Sequence, residues 1–213
     1  MRYAGICGTD MMLHSGKHPR AVPPRVLGHE IFGSIEGAGP SVDPTRKKGK
    51  RVAIFPLISC MQCTPCKEGN AHVCEKLGVI GVDCDGGFAS YLKATPNQVV
   101  AIPDSVDDAQ TALVEPLSVV VHAVRNASFR PGDTALVTGG GPIGNLLAQV
   151  LRASGAREVI VAEIKEFRRA SAERLGFHTI NPADENSQEA LQRIVGGRFV
   201  ECVFEASGFP GAL

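Results

Sequence analysis

A glycine-rich turn between a strand-like and a helix-like segment constrains the fold of this 213-residue chain more than any other feature. Residues 139–144 read Gly-Gly-Gly-Pro-Ile-Gly and fit the pattern G-x-G-x-x-G. The pattern is weak alone, but here a buried-strand run precedes it and apolar residues at helical spacing follow it, as the motif requires. Its glycines, Gly139, Gly141 and Gly144, would let the backbone approach a pyrophosphate, and the helix N-terminus would supply N–H donors. We therefore predict a dinucleotide-binding turn.

The segment from residue 130 onwards alternates strand and helix patterns. Strands are predicted at 134–138, 158–162, 179–180 and 199–204. Helices are predicted at 143–151, 167–175 and 187–195. Such alternation with short connections predicts a parallel sheet with helices on both faces.

The segment before residue 130 reads differently, because short apolar runs alternate there with Gly and Pro. The runs that predict strands are 30–35, 51–55, 88–92 and 99–102. We therefore predict an α/β protein of two domains, an irregular β-rich domain at 1–129 and a dinucleotide-binding domain at 130–213.

Glu163 lies about 20 residues after the glycine-rich turn, at the end of the second predicted strand of that domain. A carboxylate there accepts hydrogen bonds from an adenosine ribose and repels a 2′-phosphate, which favours NAD over NADP. Arg168 is the opposing signal, since a guanidinium could hold that phosphate. It could equally stack near the adenine or lie on a solvated helix face.

Four of the seven cysteines follow the pattern C-x2-C-x2-C-x7-C. They are Cys60, Cys63, Cys66 and Cys74. Two residues between thiols let a tight turn direct both sulfurs at one ion, and tetrahedral zinc accepts four thiolates. A redox C-x-x-C pair and an iron–sulfur cluster are the alternatives, although no Cys-Pro follows at the spacing such clusters use. The pattern favours structural zinc.

A second group of metal-ligating residue types is spread along the chain: Cys7, His29, Glu30 and Glu115. Each alone has an ordinary explanation as a buried thiol, a hydrogen-bonded imidazole or a turn residue. Together they supply one thiolate, one imidazole and two carboxylates, a plausible set for a catalytic zinc that keeps one position open. Spacing alone does not decide the matter.

Composition excludes several classes of function. The 22 Lys and Arg balance the 22 Asp and Glu, so the chain lacks the basic field that generic nucleic-acid binding needs. No apolar run approaches the ~20 residues of a membrane span, and no secretory signal is visible at the start. We therefore expect no nucleic-acid or membrane partner and a cytoplasmic location.

The motifs taken together resemble the medium-chain zinc-dependent dehydrogenase family, in particular its sorbitol/polyol and threonine dehydrogenase branch. The segments that carry the resemblance are CGTD at 7–10, GHE at 28–30, the cysteine lobe at 60–74, EPLSV at 115–119 and GGGPIG at 139–144. The resemblance implies a GroES-like catalytic domain followed by a partial Rossmann sheet.

The resemblance also implies roles for individual residues. A catalytic zinc would be bound by Cys7, His29, Glu30 (ligand or near-ligand) and Glu115, and a structural zinc by the four-cysteine lobe. Thr9 would pass on the substrate's hydroxyl proton, and Asp10 would orient His29. The NAD site would be lined by Ile143, Glu163 and Arg168.

The implied reaction is hydride transfer to NAD from a small-molecule secondary alcohol, which would be a polyol, a sugar acid or a hydroxy amino acid. The implied assembly is a homodimer or homotetramer. Three departures from the family pattern qualify this. Met12 stands where a histidine often completes the proton relay, with His14 two residues further on. The strands that normally precede CGTD are absent, and so is the rest of the dinucleotide sheet. We therefore expect a fragment with weak or no dehydrogenase activity; the alternative is a non-catalytic zinc- and nucleotide-binding module.

Overall fold

A computed structural model describes residues 1–20, 22–40, 42 and 47–209. The chain divides into two compact units, residues 1–115 and the residues from 116 onwards. Helix α4 (Val114–Asn126) starts at this division. The domain boundary predicted at 129/130 falls after that helix, and it stays a prediction.

The first unit is built on an antiparallel sheet. Its four strands are β1 (Tyr3–Gly5), β2 (Glu30–Ser34), β3 (Arg51–Ile54) and β6 (Val99–Ala101), in the order β1-β2-β3-β6. Strands β4 (Leu57–Ile58) and β5 (Gly78–Val79) form a separate pair. The short helices are α1 (Gly8–His14), α2 (Thr64–Lys67) and α3 (Asp108–Thr111), with 3-10 turns at Ala71–Val73 and Pro96–Gln98. Ile31, Ile54 and Ile80 form the buried apolar cluster of this unit.

The second unit is a parallel sheet of β7 (Thr134–Thr138), β8 (Glu158–Ala162), β9 (His178–Ile180) and β10 (Cys202–Glu205). Its strand order is β10-β7-β8-β9. The helices between the strands are α5 (Pro142–Ala153), α6 (Glu166–Arg174) and α7 (Ser187–Val195).

Alternation along these strands separates two apolar clusters. Val137 and Val161 pack with Leu147 of α5 and Ala172 of α6. The neighbouring Ile160 belongs to the second cluster, which contains Val195 of α7. Because successive side chains of a strand point to opposite faces, the predicted parallel sheet with helices on both faces is confirmed. In the part of the chain that the structure describes, no helix is both long enough and apolar enough to span a bilayer.

The strand predicted at 88–92 is wrong, since this segment contains no strand. The N–H groups of Gly87 and Phe88 bond to the carbonyl oxygens of Gly28 and Leu27. Tyr91 then lies 75% exposed. The strand predicted at 199–204 begins only at Cys202, and Phe199 is 84% exposed. In both places apolar residues predicted a strand, but Tyr91 and Phe199 lie exposed to solvent and not on a buried sheet face.

Candidate functional site

The four-cysteine segment folds into one thiol cluster. The Sγ atoms of Cys60, Cys63, Cys66 and Cys74 all lie within 4.8 Å of one another. Cys63 precedes helix α2 and Cys66 lies within it. Backbone N–H groups also converge on the sulfurs, from Cys63 to Cys60 Sγ at 3.4 Å and from Cys60 to Cys74 Sγ at 3.2 Å. Four converging sulfurs, of which those of Cys60 and Cys74 receive backbone N–H donors, fit a closed tetrahedral zinc site.

The thiols of this cluster differ in acidity. Backbone N–H donors from Gln62 and Cys63 are the main reason that the pKa of Cys60 falls to about 6. Burial is the main reason that the pKa of Cys66 rises to about 12. A bound metal ion would require all four residues as thiolates. Its positive charge would offset the free energy that burial costs the Cys66 thiolate.

Cys7, His29 and Glu30 form a second group, with ligand atoms that all lie within 4.8 Å of one another. The pairing of β1 with β2 brings them together, because Gly5 lies opposite Glu30 in the register. A Cβ atom at Gly5 would lie 1.9 Å from Glu30 Oε2, so a residue without a side chain is needed there. The set of one thiol, one imidazole and one carboxyl fits a zinc site with a position left open.

Asp10 connects the two segments that carry this group. It is 3% exposed, and its Oδ2 accepts from the Cys7 N–H at 2.8 Å while its Oδ1 accepts from the Gly28 N–H at 3.1 Å. Asp10 Oδ1 also lies 3.7 Å from His29 Nδ1, a buried atom that has no hydrogen-bond partner among the described residues. Asp10 therefore positions both the thiol and the imidazole.

The pKa values of this group move in opposite directions. A hydrogen bond between Cys7 and His29 lowers the pKa of the thiol and raises the pKa of the imidazole. Burial raises the pKa of Glu30 and of Glu115. Burial therefore opposes the ionisation of both carboxyls, which lie beside a thiol of lowered pKa. A cation bound at the site would stabilise all three groups as anions.

The other predicted residues of this site lie at its margin. Glu115, at the start of α4, lies outside the three-residue group but is close enough to interact electrostatically with His29 and Glu30. Thr9 Oγ1 is 3.7 Å from Cys7 Sγ. Met12 and His14 are exposed on α1.

The glycine-rich turn joins β7 to α5 as predicted, with Gly141 immediately before the helix. A Cβ atom at Gly144 would lie 1.8 Å from the carbonyl oxygen of Gly139, so this glycine permits close contact between helix and strand. Ile143, half-buried, belongs to the first turn of α5.

Glu163 is buried beside this turn. Its Oε2 accepts from the Gly140 N–H at 2.9 Å and lies 3.5 Å from Arg168 Nη1, and its Oε1 accepts from the Lys165 N–H at 2.9 Å. Burial acts to raise the pKa of Glu163, but the two N–H donors and the Arg168 charge lower it overall. The carboxylate that was predicted to meet a ribose is thus also bound to the turn itself.

Comparison with known families matches both parts of the chain. The alcohol dehydrogenase GroES-like domain matches residues 1–104, and the zinc-binding dehydrogenase domain matches residues 142–213. The chain belongs to the medium-chain zinc-dependent dehydrogenase family. The predicted resemblance and the predicted fold class are therefore confirmed.

Three related proteins illustrate the similarity. L-galactonate-5-dehydrogenase of Escherichia coli K12 is 41% identical over all of this chain and 62% of its own length. A zinc-binding dehydrogenase of Sinorhizobium meliloti, solved with NADP, superposes with a TM-score of 0.91 at 35% identity, over 99% of this chain and 62% of its own. The rspB alcohol dehydrogenase of Escherichia coli CFT073, solved with NADH, superposes with a TM-score of 0.88 at 34% identity, over 97% of this chain and 60% of its own length. The chain thus spans about 60% of the length of these dehydrogenases.

Two features that shape the candidate zinc site had little or no signal in the sequence. The resemblance implied that Asp10 orients His29, and the bond of Asp10 to the Cys7 N–H has the local spacing of a capping box, but its bond to the Gly28 N–H had no signal in the sequence. The need for glycine at position 5 arises from its register with Glu30 across the sheet. A glycine two residues before a candidate ligand was the one available hint.

Proposed function

We propose that this chain is the zinc- and nucleotide-binding part of an NAD-dependent oxidoreductase that removes hydride from a secondary alcohol. The observation that carries the proposal is the convergence of Cys7, His29 and Glu30 within 4.8 Å. Cys7 lies far in the sequence from the adjacent pair His29 and Glu30, and a thiol, an imidazole and a carboxyl form the donor set of an open zinc site. The glycine-rich turn in the same chain supplies the second requirement, a nucleotide site.

The chain's residues would divide the work as follows. Cys7, His29 and Glu30 would bind the catalytic zinc, with Glu115 beside them, and Asp10 would keep the first two in place. Zinc bound there would supply Lewis-acid chemistry to an alcohol oxygen. Thr9, next to Cys7, would accept the hydroxyl proton and pass it outward. The lobe of Cys60, Cys63, Cys66 and Cys74 would hold a second, structural zinc.

The nucleotide would bind at the turn of Gly139, Gly141 and Gly144, with Ile143, Glu163 and Arg168 lining its site. We propose NAD rather than NADP, because Glu163 carries negative charge where a 2′-phosphate would lie. Arg168 lies 3.5 Å from that carboxylate, so its charge is offset by Glu163.

The substrate would be a small polyol, sugar acid or hydroxy amino acid. The 41% identity to an L-galactonate dehydrogenase supports a sugar acid in particular. We further propose a cytoplasmic location and, for the whole protein, a homodimer or homotetramer.

A second candidate is a zinc- and nucleotide-binding module that does not turn over substrate. The chain spans about 60% of the length of the related dehydrogenases, and the zinc- and nucleotide-binding residues that define such a module all lie within it. Alcohol-dependent NADH formation by the purified chain separates the two, since the module would bind nucleotide without producing NADH.

Zinc stoichiometry tests the site itself. We expect two zinc ions per chain, one in the Cys7→Ser variant and one in the Cys60→Ser variant, as measured by elemental analysis after dialysis. Cys84→Ser is the matched control and should retain two, because Cys84 belongs to neither group. One zinc in both the wild type and Cys7→Ser would contradict the catalytic site. Retention of two zinc ions in Cys7→Ser would contradict the role of that thiol.

A further inference from the structure

The sheet of the second unit has its topological switch point between β7 and β10. The chain runs from β7 outward through β8 to β9 and then returns to the other side of β7 to form β10. In open parallel sheets a ligand binds in the crevice at the carboxyl ends of the strands where the order reverses. The two segments that border this crevice are the glycine-rich turn after β7 and the residues 206–208 after β10.

These two segments are in close contact. The Ala206 N–H donates to the Thr138 carbonyl at 2.8 Å. A Cβ atom at Gly139 would lie 2.7 Å from the Ser207 nitrogen and 2.8 Å from the Ala206 carbonyl carbon. The position of the 206–208 backbone therefore sets the space left above the glycine-rich turn.

One carboxylate organises the 206–208 backbone. Glu205 Oε1 accepts from the Ser207 N–H at 2.6 Å, from the Ser207 hydroxyl at 2.5 Å and from the Gly208 N–H at 3.0 Å. The Ser207 hydroxyl in turn accepts from the Phe209 N–H at 3.0 Å. Gly208 adopts a positive φ of 65°, which lets the backbone turn so that its N–H reaches the same oxygen.

The sequence did not single out Glu205, and neither the zinc sites nor the predicted NAD site uses it. Glu205 is exposed to solvent, so its carboxylate does not need these three hydrogen bonds to compensate for burial of its charge. The bonds from Ser207 lower the pKa of Glu205, so the carboxylate stays ionised at neutral pH and acts as a strong acceptor.

We propose that Glu205 is a positioning residue for the dinucleotide: it fixes the 206–208 turn against Gly139 and thereby gives the cofactor crevice a defined wall. The inference rests on the proposed function, since it presupposes that a nucleotide binds at the switch point. Glu205 acts through the backbone it holds, so truncation should weaken nucleotide binding without removing any residue of the glycine-rich turn.

The test compares NADH affinity with fold stability in the zinc-loaded 213-residue chain. We expect Glu205→Ala to raise the NADH Kd about tenfold and Glu205→Gln to fall between it and the wild type, because a glutamine oxygen still accepts hydrogen bonds from this turn but carries no negative charge. Amide exchange at Ser207 and Gly208 should accelerate in the alanine variant. Glu185→Ala is the matched control, because Glu185 is an exposed carboxylate in the turn before α7. This variant should leave both the NADH Kd and the Tm unchanged.

The outcomes distinguish the inference from the proposed function. A wild-type Kd in Glu205→Ala overturns the inference and leaves the proposed function standing. A fall in Tm with an unchanged Kd does the same, since it shows a merely structural role. A wild-type chain that binds no NADH overturns both. A weakened Kd with an unchanged Tm, partly rescued by glutamine, supports the inference.

Discussion

At the scale of single residues, the four-cysteine lobe contains thiols of very different reactivity. Because the thiolate is the nucleophile, Cys60, with a pKa of about 6, is mostly ionised at pH 7. Cys66, with a pKa of about 12, is almost entirely protonated. We expect iodoacetamide to modify Cys60 at least tenfold faster than Cys66 after zinc is removed by a chelator, as measured by peptide mass spectrometry.

The zinc-loaded chain is the control for this experiment. With metal bound, all four thiols should be protected to a similar degree, since each is occupied as a ligand. Equal rates at Cys60 and Cys66 after chelation would contradict the acidity difference. Formation of a disulfide within the lobe on zinc removal would instead support a redox role for the cysteines.

Glu163 makes a second prediction at this scale. Its pKa is lowered below the ordinary value of 4.5 in the folded chain, so its contribution to the free energy of unfolding is present above pH 4.5 and is lost as the pH falls towards the folded pKa. We expect Glu163→Gln to lower the free energy of unfolding at pH 7 by about 1–3 kcal/mol, because it weakens bonds to a charged acceptor. Urea denaturation between pH 3 and 7 should show this difference shrinking below pH 4.5.

The exposed Glu185 again supplies the comparison. Glu185→Gln should change the free energy of unfolding by less than about 0.5 kcal/mol at every pH, as is usual for surface substitutions. A Glu163→Gln difference that stayed constant down to pH 3 would show that the carboxylate's charge does not contribute to stability.

At the scale of elements, two glycines of the turn from β7 to α5 are expected to have different roles, one in the stability of the fold and the other in nucleotide binding. A Cβ atom at Gly144 would overlap the Gly139 carbonyl at 1.8 Å, whereas one at Gly141 would meet its nearest neighbour, Arg168, at 3.9 Å. We expect Gly144→Ala to lower the free energy of unfolding by about 1–3 kcal/mol. Gly141→Ala should stay within about 1 kcal/mol of wild type yet weaken NADH binding, since the added methyl would obstruct a pyrophosphate bound at this turn as proposed.

Denaturation and NADH titration of the two variants check this division. A stable Gly144→Ala chain would show that helix and strand adjust to the added methyl. Unchanged NADH binding in Gly141→Ala would place the pyrophosphate away from this glycine. Each result concerns one variant, so the fold argument and the binding argument are tested separately.

Helices and strands were predictable from the sequence where their buried apolar residues recur at a regular spacing. Strands β7 and β8 and helix α7 have the predicted bounds, because their apolar residues are buried on a regular pattern. The strand predicted at 88–92 is wrong because the chain enters this segment with the N–H groups of Gly87 and Phe88 bonded to the loop at 27–28, a partner distant in sequence. The same limit applies to the site: the sequence named the residues Cys7, His29 and Glu30, but the bond that Asp10 accepts from the Gly28 N–H depends on tertiary structure.

At the scale of the whole molecule, the two kinds of candidate site lie in different compact units. Both metal-ligating groups belong to residues 1–115, and the glycine-rich turn belongs to the unit from residue 116 onwards. A ligand that binds the native state of one unit stabilises that unit by mass action. Zinc should therefore stabilise the first unit against unfolding, and NADH should stabilise the second.

This separation predicts two distinct responses in calorimetry. Removal of zinc should lower the unfolding temperature of the first unit, whose two candidate sites hold ligands from seven residues. NADH at about a hundred times its Kd should contribute about 2.7 kcal/mol to the second unit and raise its unfolding temperature by roughly 10 °C. Hydrogen exchange assigns each transition to its residues. If zinc removal and NADH both shift one common transition, the two units unfold as a single cooperative body, and nucleotide affinity should then depend on metal content.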